Sequence, residues 1–329
     1  MVVVVTGAAG FIGMHVCEEL LASGARVIGI DSLNSYYPVA LKRARLARLE
    51  GRPGFSFHAV DIADHEALKA VVGGERVEVV IHLAAQAGVR HSIDRPFDYA
   101  AANLTGHLSV LELCRGMPAP PLLVYASSSS VYGGGSKVPF SETDPVDRPM
   151  SLYAATKRAD ELMSSAYASL YGLPQIGLRF FTVYGPWGRP DMAYWLFAEK
   201  ILDGEPIRVF NHGKLQRDFT YIDDIVKGVV AIASGEPKLD AERPHRVYNI
   251  GNNRPVELLR FIALLEETLG RSAVKVMEPM QPGDVLETCA DIAAIEADYG
   301  FHPETSLEDG LPRFVDWFVR HRAEEDRDA

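Results

Sequence analysis

Short, nearly unbroken apolar runs recur along the first half of the chain. They cover residues 1–5, 26–30, 55–60, 77–82, 122–126 and 175–180. Each is rich in β-branched or aromatic residues and bounded by turn formers, as strands buried on both faces are. Between them lie longer stretches with apolar residues at helical spacing, over 14–22 and from about 96 to 115. Strand and helix in alternation predict a parallel sheet with helices on both faces. After Phe181 the texture changes, and a turn-rich segment at 184–190 opens a region of shorter, mixed elements. Helical patterns there fall at 192–202, 222–233, 256–269 and 307–318, and strand patterns at 207–210, 246–250 and 274–277. The charged end, 324–329, is expected to fray. The fold class is therefore α/β: a doubly wound parallel Rossmann sheet with a smaller mixed α/β C-terminal substrate domain.

In such sheets ligands sit beyond the carboxyl ends of the strands. Gly7, Asp31, Asp61, Leu83, Ser127 and Phe181 all fall at those ends. The first strand runs into Gly7, Gly10 and Gly13, then a helical stretch, a second strand and Asp31. That order is the opening of a dinucleotide-binding unit. Gly7 permits a tight turn, Gly10 lets the backbone approach a pyrophosphate, and Gly13 allows close helix–strand packing. The helix N-terminus then faces the phosphates. A carboxylate at Asp31 suits ribose hydroxyls and repels a 2′-phosphate, so NAD is favoured over NADP. The expected cofactor wall adds Phe11 and Ile12 from the turn, Asn34 and Ser35 after Asp31, and Ile62 beside Asp61. Ala84, Ala85 and Gln86 follow Leu83, and Phe180 precedes Phe181.

Composition narrows the partners. The 329 residues carry a net charge of −11, which removes any general electrostatic reason to bind nucleic acid or an anionic membrane. An anionic ligand must then be held by helix N-termini and a few placed arginines. Cys17, Cys114 and Cys289 are widely spaced, with no pattern for metal or disulfide, so buried free thiols and no metal are expected. No charged leader precedes the first strand and no apolar run approaches a membrane span, so a cytoplasmic protein is expected.

The chemistry concentrates between 125 and 157. Ser127, Ser128, Ser129 and Ser130 end the fifth strand pattern, and Tyr153 and Lys157 follow a polar loop. Tyr153 and Lys157 share one face of a helix. A lysine beside a phenol stabilises the phenolate, which makes a tyrosine usable as a base. An ordinary amphipathic helix would show the same pair, so the pair gains meaning only from the rest of the chain.

Taken together, the glycine turn at 5–13, His82-Leu-Ala-Ala85, Ser128 and Tyr153-x-x-x-Lys157 resemble the extended short-chain dehydrogenase/reductase superfamily over essentially the whole chain. The stretches 83–90, 179–192, 217–224 and 248–255 resemble more closely its UDP-glucuronate 4-epimerases. The resemblance implies tightly held NAD and a UDP-sugar substrate. It assigns Tyr153 to the proton of the sugar 4-hydroxyl, Lys157 to the nicotinamide ribose and Ser128 to O4. Asn103 would orient the cofactor loop. Related dehydratases and decarboxylases carry carboxylates just after the catalytic hydroxyl, where this chain has Ser129 and Ser130. Hydride return, and so epimerisation, is the expected exit.

The resemblance also suggests a substrate wall. Ser128, Ser129, Ser130, Thr182 and Arg189 would grip the substrate carboxylate, with Arg90 a weaker choice; Arg189 suits a diphosphate equally well. Met192 closes the same motif. Arg217 points to the diphosphate, Asp284 to the uridine ribose, and the backbone at Arg208, Val209 and Phe210 to uracil, although Phe210 could equally be core. Gln281 stands where relatives often have arginine, which puts a phosphate contact there in doubt. Residues 1–184 are expected to form the NAD-binding domain, with segments near 218–250 returning to it, and 185–329 the UDP-sugar domain. Apolar stripes (Leu104, Leu108, Leu111; Leu162, Ala166, Leu170) fit either a homodimer interface or core packing. A UDP-hexose 4-epimerase, a UDP-glucuronate decarboxylase and a non-catalytic NAD-sensing regulator are the alternatives. Thr182, the serines, and the intact Tyr153 and Lys157 argue against each in turn.

Overall fold

The computed structural model describes residues 1–134, 137–240, 242, 244–281 and 284–328. From the amino end, β1 (Val2–Thr6) leads to α1 (Phe11–Ala22), β2 (Arg26–Asp31) to α2 (Val39–Ala47), and β3 (Phe55–Ala59) to α3 (His65–Val72). After β4 (Val79–His82) come α4 (His91–Asp94), α5 (Pro96–Tyr99), a π-helical stretch (Ala100–Thr105) and α6 (Gly106–Gly116). The strand β5 (Leu122–Ser128) enters a 3-10 turn at Ser129–Tyr132, followed by α7 (Leu152–Tyr171), β6 (Gln175–Phe180) and β7 (Thr182–Tyr184). Next are α8 (Ala193–Asp203), β8 (Pro206–Val209), β9 (Gln216–Tyr221), α9 (Ile222–Ser234) and β10 (His245–Ile250). The chain finishes with β11 (Pro255–Glu257), α10 (Leu258–Leu269), β12 (Val274–Met277), α11 (Ala293–Tyr299) and α12 (Leu307–Asp328).

Seven strands form one sheet in the order β3-β2-β1-β4-β5-β6-β10. Every pair in it is parallel. The chain winds outward from β1 to β3, then returns to lay β4 on the other side of β1. That reversal opens a crevice at the strand ends between β1 and β4. Two smaller sheets join β11, β9 and β7, and pair β12 with β8.

The apolar runs form strands because helices cover both faces of the sheet. Val3 and Val5 feed one core while Val4 feeds the other, as side-chain alternation requires. The first core continues without a break from Val3 through Ile225 and Ile250 to Phe314 and Phe318. The strand β10 extends the central sheet beside β6, and α9 packs on α1. The later part of the chain therefore shares the core of the earlier part.

Three details differ from the sequence pattern. The helical stretch near 96–115 is interrupted by the π turn. The pattern at 256–269 begins with the short strand β11, and only then becomes α10. The last helix runs well past Phe318, through the charged segment expected to fray, to Asp328, leaving Ala329 outside the described residues. Helices α2, α3 and α11 and strands β7, β9 and β11 have no pattern long enough to stand out.

Candidate active site

The crevice opens into a cleft of about 1410 Å³. A site for one small molecule usually measures ~300–1,000 Å³, so this one has room for two ligands. Its first wall is the turn between β1 and α1. Gly7 takes a left-handed φ of 76° and donates its N–H to Ile30 O at 2.7 Å. A Cβ there would lie 2.8 Å from Ala84 N, and one on Gly13 only 2.0 Å from Gly7 O, so both positions demand glycine. No side chain caps α1 at Gly10, and its first turn (Phe11, Ile12, Gly13) lines the cleft. Free N–H groups and the helix dipole favour an anion at that point.

Asp31 stands at the end of β2 beside this turn. Its carboxylate accepts from Ala9 N at 3.1 Å and Leu33 N at 2.8 Å. Lys42 of α2 reaches under the following loop and donates to Asn34 O at 2.8 Å and Asn34 Oδ1 at 2.7 Å. Burial holds the Lys42 ammonium below its usual lysine pKa. Arg45, one turn on, is fully buried. It donates to Ala9 O of the glycine turn, to Tyr37 Oη, and to the carbonyls of Trp187 and Gly188. One side chain thus ties the glycine turn to the loop that carries Arg189.

Asp61, Ile62 and Leu83 to Gln86 continue the wall at the ends of β3 and β4. Asn103 lies behind it. Its Oδ1 accepts from Gln86 N at 2.8 Å, while Nδ2 donates to Gln86 O at 3.1 Å and Thr156 Oγ1 at 2.9 Å. The π turn places Asn103 so that it joins the β4 loop to α7.

On α7, Ser151 caps the helix by accepting from Ala154 N at 3.1 Å. That cap puts Tyr153 in the first turn and Lys157 one turn deeper, both on the cleft. The edge of Tyr99 meets the Tyr153 ring with centroids 6.1 Å apart. Lys157 is buried, with Nζ 3.1 Å from Asp160 Oδ2. At the end of β5, Ser128 Oγ accepts from Ser130 N and donates to Ser130 Oγ, each at 3.1 Å. Ser127 donates to Glu161 Oε1 at 2.6 Å, and Arg179 of β6 grips both Glu161 oxygens at 2.8 and 2.9 Å. Burial works against the Glu161 charge, yet Arg179, Ser127 and Arg158 hold its pKa below the usual carboxylate value.

The far wall is cationic but already paired. Arg189 forms a two-point pair with Asp191, at 3.0 and 2.5 Å, and Tyr36 Oη donates to the same carboxylate at 2.9 Å. Arg217 is 3.5 Å from Asp284. Arg90 and Arg208 stand over the Phe210 ring at 5.2 and 5.1 Å, and Arg208 also pairs with Glu278. Thr182 and Met192 lie on the same wall.

The cleft therefore brings together the expected residues with three exceptions: Asn103, Val209 and Gln281 are not on its surface. Asn103 acts from behind. Val209 turns its side chain into the core, and its carbonyl accepts from Glu278 N. The Gln281 carbonyl accepts from Asp284 N, beside the cleft rather than on it. Among the described residues no cluster of three His, Cys, Asp or Glu is arranged for a metal.

Comparison with known proteins decides what this cleft belongs to. Residues 3–251 match the model of the NAD dependent epimerase/dehydratase family. The chain is 45% identical over 327 residues to a probable UDP-glucuronate 4-epimerase of Rhizobium meliloti, covering 95% of this chain and 96% of that one. It is 46% identical to UDP-glucuronate 4-epimerase 4 of Arabidopsis thaliana, across 97% of this chain and 75% of the relative. A crystal structure of UDP-glucuronic acid 4-epimerase from Bacillus cereus, in complex with UDP-glucuronic acid and NAD, superposes with a TM-score of 0.89. It shares 36% identity and covers 98% of this chain and 100% of its own.

The chain belongs to the NAD dependent epimerase/dehydratase family.

For a member of this epimerase/dehydratase family, the residues present fit NAD. The glycine turn leaves no Cβ where a pyrophosphate would lie, the α1 N-terminus is open, and an acid rather than a cation ends β2. Sequence reasoning does not single out Tyr36, Lys42, Arg45, Asp160 or Asp191. Only Lys42 and Arg45 leave a trace, as two cations on the apolar-striped face of α2; the others acquire meaning only from what the fold sets beside them.

Proposed function

We propose that this chain interconverts UDP-glucuronate and UDP-galacturonate by epimerisation at C4. The observation that carries the reading is the run Ser128-Ser129-Ser130 at the end of β5, in one cleft with Tyr153 and Lys157. Bound NAD supplies the acceptor and donor of the C4 hydride. Tyr153 takes the proton of the 4-hydroxyl and later returns it. Lys157 stabilises the Tyr153 phenolate and contacts the nicotinamide ribose, and Ser128 holds O4. The loose grip of hydroxyl groups lets the 4-keto sugar turn about its link to the diphosphate. Thr182, Ser129, Ser130 and Arg189 hold the bond from C5 to the carboxylate out of alignment with the π system of the C4 carbonyl, which guards against loss of CO2. For Arg189 to do so, Asp191 must share or release it. Arg217 binds the diphosphate and Asp284 the uridine ribose, with Phe210 near the uracil.

The division into a cofactor part (1–184, with returning segments) and a sugar part (185–329) belongs to the same reading. So do placement in the reducing cytoplasm, in keeping with three buried free thiols, and a homodimer. Incubation with UDP-glucuronate and no added reductant, followed by NMR, tests the activity. UDP-galacturonate is the expected product; a UDP-pentose or unchanged substrate would reject the reading.

A further inference from the structure

Behind Tyr153 and Lys157 lies an acid that the proposed chemistry leaves unused. Asp160 follows Lys157 by almost one turn of α7, and its side chain is wholly buried. One oxygen, Oδ2, pairs with Lys157 Nζ at 3.1 Å. The other, Oδ1, has no hydrogen-bond partner among the described residues. A buried carboxylate with an unserved oxygen costs stability, so its presence asks for a reason.

The groups packed around this pair do not share its task. His82 of β4 is driven down to about 3 by burial and the Lys157 charge, and burial likewise keeps His107 of α6 well below its ordinary value. His245 of β10 is lowered by burial to about 4. All three are neutral near pH 7. Tyr125 of β5 is held protonated, mainly by burial. Glu161 is spoken for by Arg179 of β6 and by Arg158. Asp160 is thus the carboxylate set against Lys157. A phenolate at Tyr153 would feel the Lys157 charge together with that of Arg189, which Asp191 already pairs, and it lies beside Tyr99, which burial keeps protonated.

We propose that Asp160 is a positioning residue for this reaction: it anchors Lys157 Nζ and offsets part of the ammonium charge at Tyr153, so setting how readily Tyr153 gives up its proton. The proposal rests on the roles given to Tyr153 and Lys157 above. The logic is that of a tuned base. A phenol made too acidic is deprotonated at every pH but takes a proton poorly. An unopposed buried ammonium next to a cationic cofactor would push it that way, and the buried acid pulls it back. At the effective dielectric of a protein, a unit charge about 10 Å from a phenol moves its titration by about one pH unit.

The test compares wild type with Asp160→Asn and Asp160→Ser, following kcat/KM for UDP-glucuronate against pH and the NAD carried by each purified protein. The acid limb is expected to move about one unit lower in both variants, with a severalfold lower plateau because the base is weaker. An unmoved acid limb in both overturns the proposal. A second reading uses protein stripped of NAD. Burial raises the Asp160 pKa from 3.8 to about 6, against the pull of Lys157. Between those values the unfolded chain has lost the proton and the folded chain keeps it, so the contribution of Asp160 to stability falls as pH rises in wild type and is absent in Asp160→Asn. The Tm difference should grow across that window; a constant difference counts against the proposal. Tyr153→Phe serves as the control. If it turned over like wild type, the base assignment itself would fall, whatever the Asp160 variants do.

Discussion

A hydroxyl and a carboxylate differ little in reach but greatly in what they can do to a 4-keto sugar. Ser129 and Ser130 bring only hydroxyls to the cleft, and neither can serve as the carboxylic acid or carboxylate base that loss of water or of CO2 would use. Oxidation at C4 of a glucuronate makes a β-keto acid, which sheds CO2 when the bond to the carboxylate aligns with the carbonyl π system. Restraint must come from the groups that grip the carboxylate. Arg189→Met is therefore expected to raise the ratio of 4-keto-pentose to epimer about tenfold, since small misplacements at a reacting centre carry large rate effects. An unchanged ratio by NMR would leave Arg189 with the diphosphate. Tyr153→Phe should lower kcat about 10²- to 10⁴-fold with NAD still bound, as loss of a general base does. These side chains are legible in the amino-acid sequence because their types and spacing are local. Tyr36 is not, because it reaches Asp191 from a loop 155 positions away, and Asp191, although only two residues from Arg189, gains its role only when the two side chains turn toward each other.

At the scale of elements, α7 is the part on which the site depends most. Its start is set by Ser151, and its first two turns carry both Tyr153 and Lys157. Ser151→Ala should cost about 1 kcal/mol and lower Tm by about 2 °C, readable by calorimetry. Lower down, Glu161 links the helix to β5 and β6 through Ser127 and Arg179. Its folded pKa lies below the ordinary glutamate value of 4.5, so its contribution is complete above that value and fades as pH falls through the folded pKa. Glu161→Gln should be less stable than wild type near neutrality, by an amount that shrinks on acidification; a gap independent of pH would sever that link. The sequence pattern locates α7, α8, α9, α10 and all the central strands, since long apolar stripes and β-branched runs survive any packing. It passes over α3 and α11, of 8 and 7 residues, whose stripes are too short to be distinguished from chance. The π turn is beyond it as well: what fixes Asn103 there is a set of bonds to Gln86 and Thr156, not a periodicity.

For the whole molecule, the apolar stripes on α6 and α7 divide. Leu111 is fully buried in the core, whereas Leu108, Leu162 and Leu170 are 41, 55 and 71% exposed, with Phe97 nearby at 85%. An apolar face of this kind on neighbouring helices is what a second copy would cover. Light scattering is expected to give twice the 36.1 kDa chain mass, and Leu162→Asp with Leu170→Asp to halve it. A monomeric wild type would refute the dimer. Sequence alone cannot separate these leucines, because core and interface ask for the same residues at the same spacing.

The core that runs unbroken from Val3 to Phe318 has a consequence for how such a protein can change. Parts that share an interior cannot be traded as cassettes, because each graft would have to match the side-chain shapes of its host along the whole seam. New sugar preferences would then come by single replacements on the cleft wall, at positions such as Thr182, Arg189 or Ser129, rather than by exchange of the later half of the chain. A chimaera joined at 184 to the sugar half of a distant relative should misfold even where its cleft residues are compatible.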